Sequence, residues 1–363
     1  MHKRTVVDVS VAVVPVVVGM LALATSVDLA SGSPRVTSLR CKTVVTKVQG
    51  KKSKHRVCAT RKSQARPLPP AGTVVAKTPL GADPADVAAG EGSIWVTKQP
   101  GGVVKIDPMT SAIVDTFATA TPSQTEAPAV AAGNGGVWLT NWNNNTVTRL
   151  DPATGQTVAT IPVGEAPGGI AVAPGAVWVA NHHSDSLSRI DPTTNSVVAT
   201  VTLGSAPRNG PQGIAATSDA VWSAVPNLNG LVRIDPFTNG LTATIPTGQE
   251  CGSVAADSDA VWVAAGCGPS LVTRIDPDTN KIVATVTVGA SARSVAVGLG
   301  SVWVATTRGL DRIDPRTNKL IGELHVPGQA ADDLDIGVFG DLAISNRSVW
   351  LAWSGELLRI QPS

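Results

Sequence analysis

Polar breaks divide residues 168–204 into four short apolar runs. These are Gly169-Ile170-Ala171-Val172, Val177-Trp178-Val179-Ala180, Leu187-Ser188-Arg189-Ile190 and Val197-Val198-Ala199-Thr200-Val201-Thr202. Each is rich in Val, Ile and Thr, whose branched side chains suit a pleated, half-buried surface, and each is bounded by Gly, Pro, Asn or Asp. None is long enough for a helix, so the pattern predicts four consecutive strands.

The unit recurs, most closely at residues 253–289 and 294–328. One Trp marks each copy: Trp95, Trp138, Trp178, Trp222, Trp262, Trp303 and Trp350, spaced 43, 40, 44, 40, 41 and 47 residues apart. A period of about forty residues belongs to propeller blades or two-helix solenoids, and four strands per unit select the propeller. Residues 73–81 read like the fourth strand of a unit but precede the first one, while the seventh unit stops after its third strand. The expectation is an all-β, seven-bladed β-propeller of four-stranded blades over residues 73–363. Its N-terminal strand would close the ring and remove the edges an open array would expose.

The repeated residues have structural tasks. The Trp faces inward from the second strand and is expected to pack between adjacent blades. An Asp-Pro turn keeps the same beat at Asp107, Asp151, Asp191, Asp235, Asp276 and Asp314, with Gln361 in the Asp place of the seventh unit. Pro presets φ, Asp accepts from backbone or Thr donors, and a closing Asn or Gly tolerates the left-handed conformation. Asp276-Pro277-Asp278-Thr279-Asn280 opens like a calcium loop, but it lacks the Gly and the Glu that such a loop carries further on. It is expected to be a structural turn like its siblings.

The ends of the chain differ from the repeats. Residues 1–33 start Met1-His2-Lys3-Arg4 and continue through an apolar stretch from Val9 to Val27 that contains Ala22-Leu23-Ala24. Two readings stand: a cleaved export signal, or an uncleaved membrane anchor of about twenty residues. Either places the protein outside the cytoplasm, secreted or held at the cell envelope. Residues 34–70 hold eleven Lys and Arg and no acid, whereas residues 71–363 hold 16 basic and 25 acidic residues, a net of −9. That balance excludes nucleic acid as a partner of the large domain. Residues 34–72 read as a basic, Cys-containing arm with a Pro-rich linker. The arm is a solubilising tether or a contact to an anionic cell surface or wall polymer. Cys41 and Cys58 flank a hairpin pattern around Gly50, and Cys251 and Cys267 lie within one unit. In an exported chain these four predict two disulfides.

The Gly-Ile strand, the Val-Trp strand (here Trp178-Val179-Ala180-Asn181) and the Arg-Ile strand resemble the Tyr-Val-Thr-Asn-type repeat propellers and the streptogramin B (virginiamycin B) lyase propellers. The resemblance spans residues 73–363 and implies the fold. Such blades serve binding proteins, sensor ectodomains and a few enzymes. A lyase would carry its catalytic His ten residues before a blade Trp. Those positions hold Ala85, Pro128, Gly168, Gln212, Gly252, Arg293 and, after a longer loop, Leu334. Its magnesium carboxylates would include one four residues after a blade Trp, where this chain has Gln99, Trp142, His182, Pro226, Gly266, Thr307 and Ser354. No His occupies the first set and no acid the second, so no catalytic residue is assigned. No cofactor is expected, and magnesium enters with the lyase reading alone.

In this strand order the loops leading into first strands and those leaving second strands share one face around the channel. Asp86, Gln212, Arg293, Asp333 and Asp335 belong to the former. Lys98, Asn141, Trp142, His182, His183, Arg308 and Trp353 belong to the latter. Mixed charge beside two Trp suits a polar ligand. Adjacent His residues on a loop point apart, so Asn181-His182-His183-Ser184-Asp185 is not expected to hold a metal. No nucleophile elbow, phosphate loop or dinucleotide fingerprint is present. The expectation is an exported, monomeric binding protein that takes a small molecule or protein on the channel face. The alternative is a streptogramin B lyase-like enzyme that opens a cyclic lactone by metal-assisted elimination.

Overall fold

The computed structural model describes residues 38–48, 51–61, 68–99, 101–118, 128–204, 210–248, 252–265, 270–327, 342–345 and 347–363. The leader reading, Asp333, Asp335, Cys251 and Cys267 lie outside the described residues. The chain divides into two compact units, Met1–Pro67 and Leu68–Ser363. In the first, Ser38–Val48 pairs antiparallel with Lys51–Arg61, and the register sets Cys41 opposite Cys58.

The second unit consists of seven four-stranded antiparallel sheets. Blade 3 is representative, with strands Pro167–Ala173, Ala176–Asn181, Ser186–Asp191 and Ser196–Thr202 in spatial order. Blade 7 takes Leu342–Ser345, Ser348–Trp353 and Glu356–Pro362 from the C-terminus, and Gly72–Pro79 from the N-terminal side supplies its fourth strand. The ring closes as the sequence pattern predicts.

Burial follows the position of each strand. Second strands lie between neighbouring sheets and are buried almost throughout, whereas outer strands such as Ser196–Thr202 alternate exposed and half-buried residues. Each blade Trp packs against the next sheet. Trp95 meets Val137 and Leu139 of blade 2, Trp138 meets Val177 and Val179 of blade 3, and Trp350 meets Ile94 and Val96 of blade 1. All seven are at most 1% exposed. Each buries roughly 150–250 Å², which makes these rings the main apolar content of the blade interfaces.

A second ring of contacts was not legible as such in the sequence. The cation paired across from each Trp, Lys105 in blade 1 and Arg in the rest, stands 4.9 to 5.8 Å from the indole centroid. Its head then reaches the Asp-Pro turn of the following blade. Arg149 donates to the Pro192 carbonyl at 2.6 Å and to Asn195 Oδ1 at 2.7 Å, and Arg274 to the Pro315 carbonyl at 2.7 Å. In blade 6 Arg312 donates to the carbonyl of Ser363, and in blade 7 Arg359 donates to the carbonyl of Met109 in blade 1. The Arg of the Arg-Ile motif is thus a latch between blades. The turns themselves are as expected. Asp107 accepts from Met109 N and Thr110 N, and those donors hold its carboxyl below the ordinary value. Asn195, Asn239, Asn280 and Asn318 close their turns at φ 53, 57, 57 and 54°. Asp276 Oδ1 accepts from Asp278 N and Thr279 N, as its siblings do, which identifies a structural turn.

Candidate functional site on the channel face

Antiparallel order puts the loops before each first strand and after each second strand at one end of the propeller, and the Asp-Pro turns at the other. On the first of these ends, the boundary between blades 2 and 3 gathers three aromatic rings. After Asn141 the chain makes a 3-10 turn, Trp142–Asn144, that ends on left-handed Asn145 (φ 56°). This turn sets the Trp142 ring 5.5 Å from His182 and 5.2 Å from His183 of blade 3, centroid to centroid, and the two imidazoles are 5.3 Å apart. Gly168 borders the indole: a Cβ there would stand 3.3 Å from Trp142 Cζ3. Trp142 and His183 are half-buried, and His182 is buried.

The backbone holds the two His in place. His182 N donates to Ala166 O and His183 N to Glu165 O, while Gly210 N of the next loop donates to His182 O. His182 Nδ1 lies 3.2 Å from the Gly210 carbonyl. A carbonyl oxygen only accepts, so Nδ1 carries the proton and Nε2 of the neutral ring is an acceptor. Burial, and then the neighbouring His183, push the His182 pKa below its ordinary value, against the Gly210 and Pro211 hydrogen bonds and Asp185. At neutral pH the ring is therefore uncharged. Among the described residues no three metal-ligating side chains converge.

The remaining candidates divide by what already engages them. Asp86 is 8% exposed; its Oδ2 accepts from Val130 N of blade 2 at 2.8 Å and its Oδ1 from Val87 N. Ser253 does the same for Val295 N between blades 5 and 6. Blades 3 and 4 have Gly169 and Gly213 at that position, where a Cβ would run into the carbonyls of Gln212 and Gly252. Asp86 is thus a staple between blades. Asn141 Nδ2 donates to the hydroxyls of Thr146 and Thr148, as Asn181 Nδ2 does to Ser186 and Ser188, so both tie their own loops. Lys98 Nζ reaches the Leu80 carbonyl at 3.5 Å. Gln212 is half-buried, with Oε1 enclosed and without a hydrogen-bond partner among the described residues. Arg293 sits at a register shift between Ala292 and Ser294, like the shift between Pro84 and Asp86 in blade 1. Arg308 is exposed. Trp353 is 6% exposed and packs with Trp303 and Leu358 in the interface between blades 6 and 7. Of the two Trp expected on this face, the structure leaves Trp142 at the surface and takes Trp353 into the core.

One charged cluster was missed. In blade 6, Asp311 pairs across the sheet with Glu323, where blade 3 has Ser188 and Thr200. Asp311 is 4% exposed and accepts from Gly289 N of blade 5 at 2.7 Å. Burial raises its pKa to about 6; Gly289 opposes, Glu323 adds and His325 opposes. The departure from Ser and Thr at those two repeat positions was the available signal.

No family model matches the chain, and no curated protein matches it significantly. Solved structures do. A streptogramin B lyase has 18% identity and a TM-score of 0.65, covering 79% of this chain and 97% of that one. The virginiamycin B lyase from Staphylococcus aureus has 16% identity and a TM-score of 0.65 over 79% and 99%. The WD40 domain of Neurospora crassa Pan2 has 13% identity and a TM-score of 0.62 over 81% and 98%. At these identities the likeness is one of fold, shared between lyases and a WD40 domain.

Proposed function

We propose that this chain is an exported seven-bladed propeller that binds a ligand or partner on its channel face, through the patch built by Trp142, His182 and His183. The half-exposed indole of Trp142 carries the reading. The seven blade Trp and Trp353 are buried, whereas Trp142 stands at the surface where strands end. Two imidazoles and the Gly168 backbone hold it, so little side-chain freedom is lost when something docks. Uncharged His182 adds an acceptor without a local charge. Export rests on the leader and on the paired Cys, which are proposed to form Cys41–Cys58 and Cys251–Cys267 disulfides.

The test is a thermal-shift screen of small metabolites and oligosaccharides against the wild type and Trp142→Ala. At least one compound is expected to stabilise the wild type and leave the variant unmoved; hits indifferent to Trp142, or no hits, overturn the reading. The lyase alternative draws on the fold shared with two lyases. The positions matching that family's catalytic His lack His, and those four residues after each blade Trp lack acids. Incubation with a streptogramin B antibiotic and magnesium is expected to leave the lactone intact, and ring-opened product would reverse the choice.

A further inference from the structure

Two loops that leave second strands meet at the boundary between blades 2 and 3, and their composition limits what they can hold. Residues 141–146 read Asn141-Trp142-Asn143-Asn144-Asn145-Thr146, and residues 181–186 read Asn181-His182-His183-Ser184-Asp185-Ser186. Apart from the three rings these are amides, hydroxyls and one acid. The acid, Asp185, is 8% exposed, and its carboxylate lies against Gly210, where a Cβ would run into Oδ1. Asn143 and Asn144 are exposed on the turn that carries Trp142. The corresponding loops of blades 1 and 6 hold Lys98 and Arg308 instead.

This arrangement disfavours two classes of ligand. Trp142, His182 and His183 stand 5.2 to 5.5 Å apart, centroid to centroid, which is the separation of rings in direct contact. No gap remains between them for an ammonium group, so they form a platform and not a cage. An anion meets no Lys or Arg in either loop. Glu165, exposed and with its carbonyl accepting from His183 N, adds negative charge at the edge of a domain at net −9. A held indole beside uncharged amides suits a ligand with an apolar face and a rim of groups that both donate and accept. A pyranose has both, with C–H bonds on a face and hydroxyls at its edge. An Asn amide offers donors and an acceptor to adjacent hydroxyls without a charge to desolvate.

We propose that the patch binds a neutral saccharide, with one sugar ring stacked on Trp142 and its hydroxyls bonded to the Asn144 amide. The assignment rests on the channel-face reading and gives it a ligand class.

Calorimetric titration of the full chain uses maltohexaose, cellohexaose, mannohexaose and N-acetylchitohexaose, with tetramethylammonium chloride and polygalacturonate in parallel. At least one of these neutral sugars is expected to bind. W142A should weaken that binding at least tenfold, whereas W142F, which keeps a ring, should stay within about fivefold of wild type. F237A removes a ring that is 79% exposed on an Asp-Pro turn at the opposite end, and it should bind as the wild type does. The melting temperature of each variant reports that it is folded. Failure of all the neutral sugars, sugar binding that W142A leaves intact, or tighter binding of tetramethylammonium or polygalacturonate overturns the proposal. If a non-saccharide from the thermal-shift screen depends on Trp142 while the sugars fail, the channel-face reading stands and the ligand class falls. If no compound depends on Trp142, both fall.

Discussion

Identical residues in the seven blades do not have identical surroundings, and single substitutions can read the difference. The indole N–H of Trp138 donates to the Gly133 carbonyl at 3.0 Å, whereas that of Trp178 is enclosed without a hydrogen-bond partner among the described residues. Trp138→Phe should therefore cost about 1 kcal/mol more than Trp178→Phe in urea unfolding, since both lose the same ring volume but the first also strands an acceptor. Arg149→Leu removes the latch to Pro192 and Asn195 and the cation over Trp138. It is expected to destabilise by about 1–2 kcal/mol in the same measurement. The repeat showed a cation, Lys105 in blade 1 and Arg in the others, just before the Ile or Leu near the end of each third strand. It did not show the partner, because the turn that accepts from Arg149 lies more than forty residues further along the chain.

Blade 6 is the element in which pH should act. A carboxyl whose folded pKa lies near 6, above the ordinary 3.8, is better tolerated when protonated. Its contribution is fully present below about pH 4 and is lost as pH rises through about 6. Asp311→Ser, which installs the residue of blade 3, should raise the melting temperature at pH 8, and the gain should vanish at pH 4. Two pKa units set its ceiling at about 3 kcal/mol, less the lost bond from Gly289 N. A melting curve for the variant that is displaced equally at both pH values would show that Asp311 is not the titrating group. Strand identity and order within the blade were legible from the period-two pattern. The carboxyl pair was not, because facing positions on two strands become neighbours only once the register is known.

For the whole molecule the decisive feature is closure by Gly72–Pro79. Removal of residues 1–67 should leave the melting temperature of the propeller unchanged, because Leu68–Ser363 is a compact unit of its own. Removal of residues 1–79 takes the fourth strand from blade 7 and exposes the edge of Glu356–Pro362. That chain is expected to aggregate or to melt at least about 10 °C lower. Peptide mapping of protein from an oxidising medium should recover Cys41 linked to Cys58, which the register places opposite one another; free thiols at both would remove that bridge.

The amino-acid sequence by itself determined the blade count, the strand order, the turn chemistry and the shared strand of the last blade. Each of these repeats at a fixed period or lies within a few residues of its cause. Tertiary structure alone decided which chemically similar residues face solvent. Trp142 lies just beyond the end of a second strand and Trp353 is the last residue of one, yet the first meets two imidazoles at the surface and the other fills the gap between two sheets. Asp86, polar and placed at the channel mouth, proved to be held by the backbone of the next blade. Contacts between blades join residues some forty positions apart, and a local pattern has no access to which of them the ring brings together.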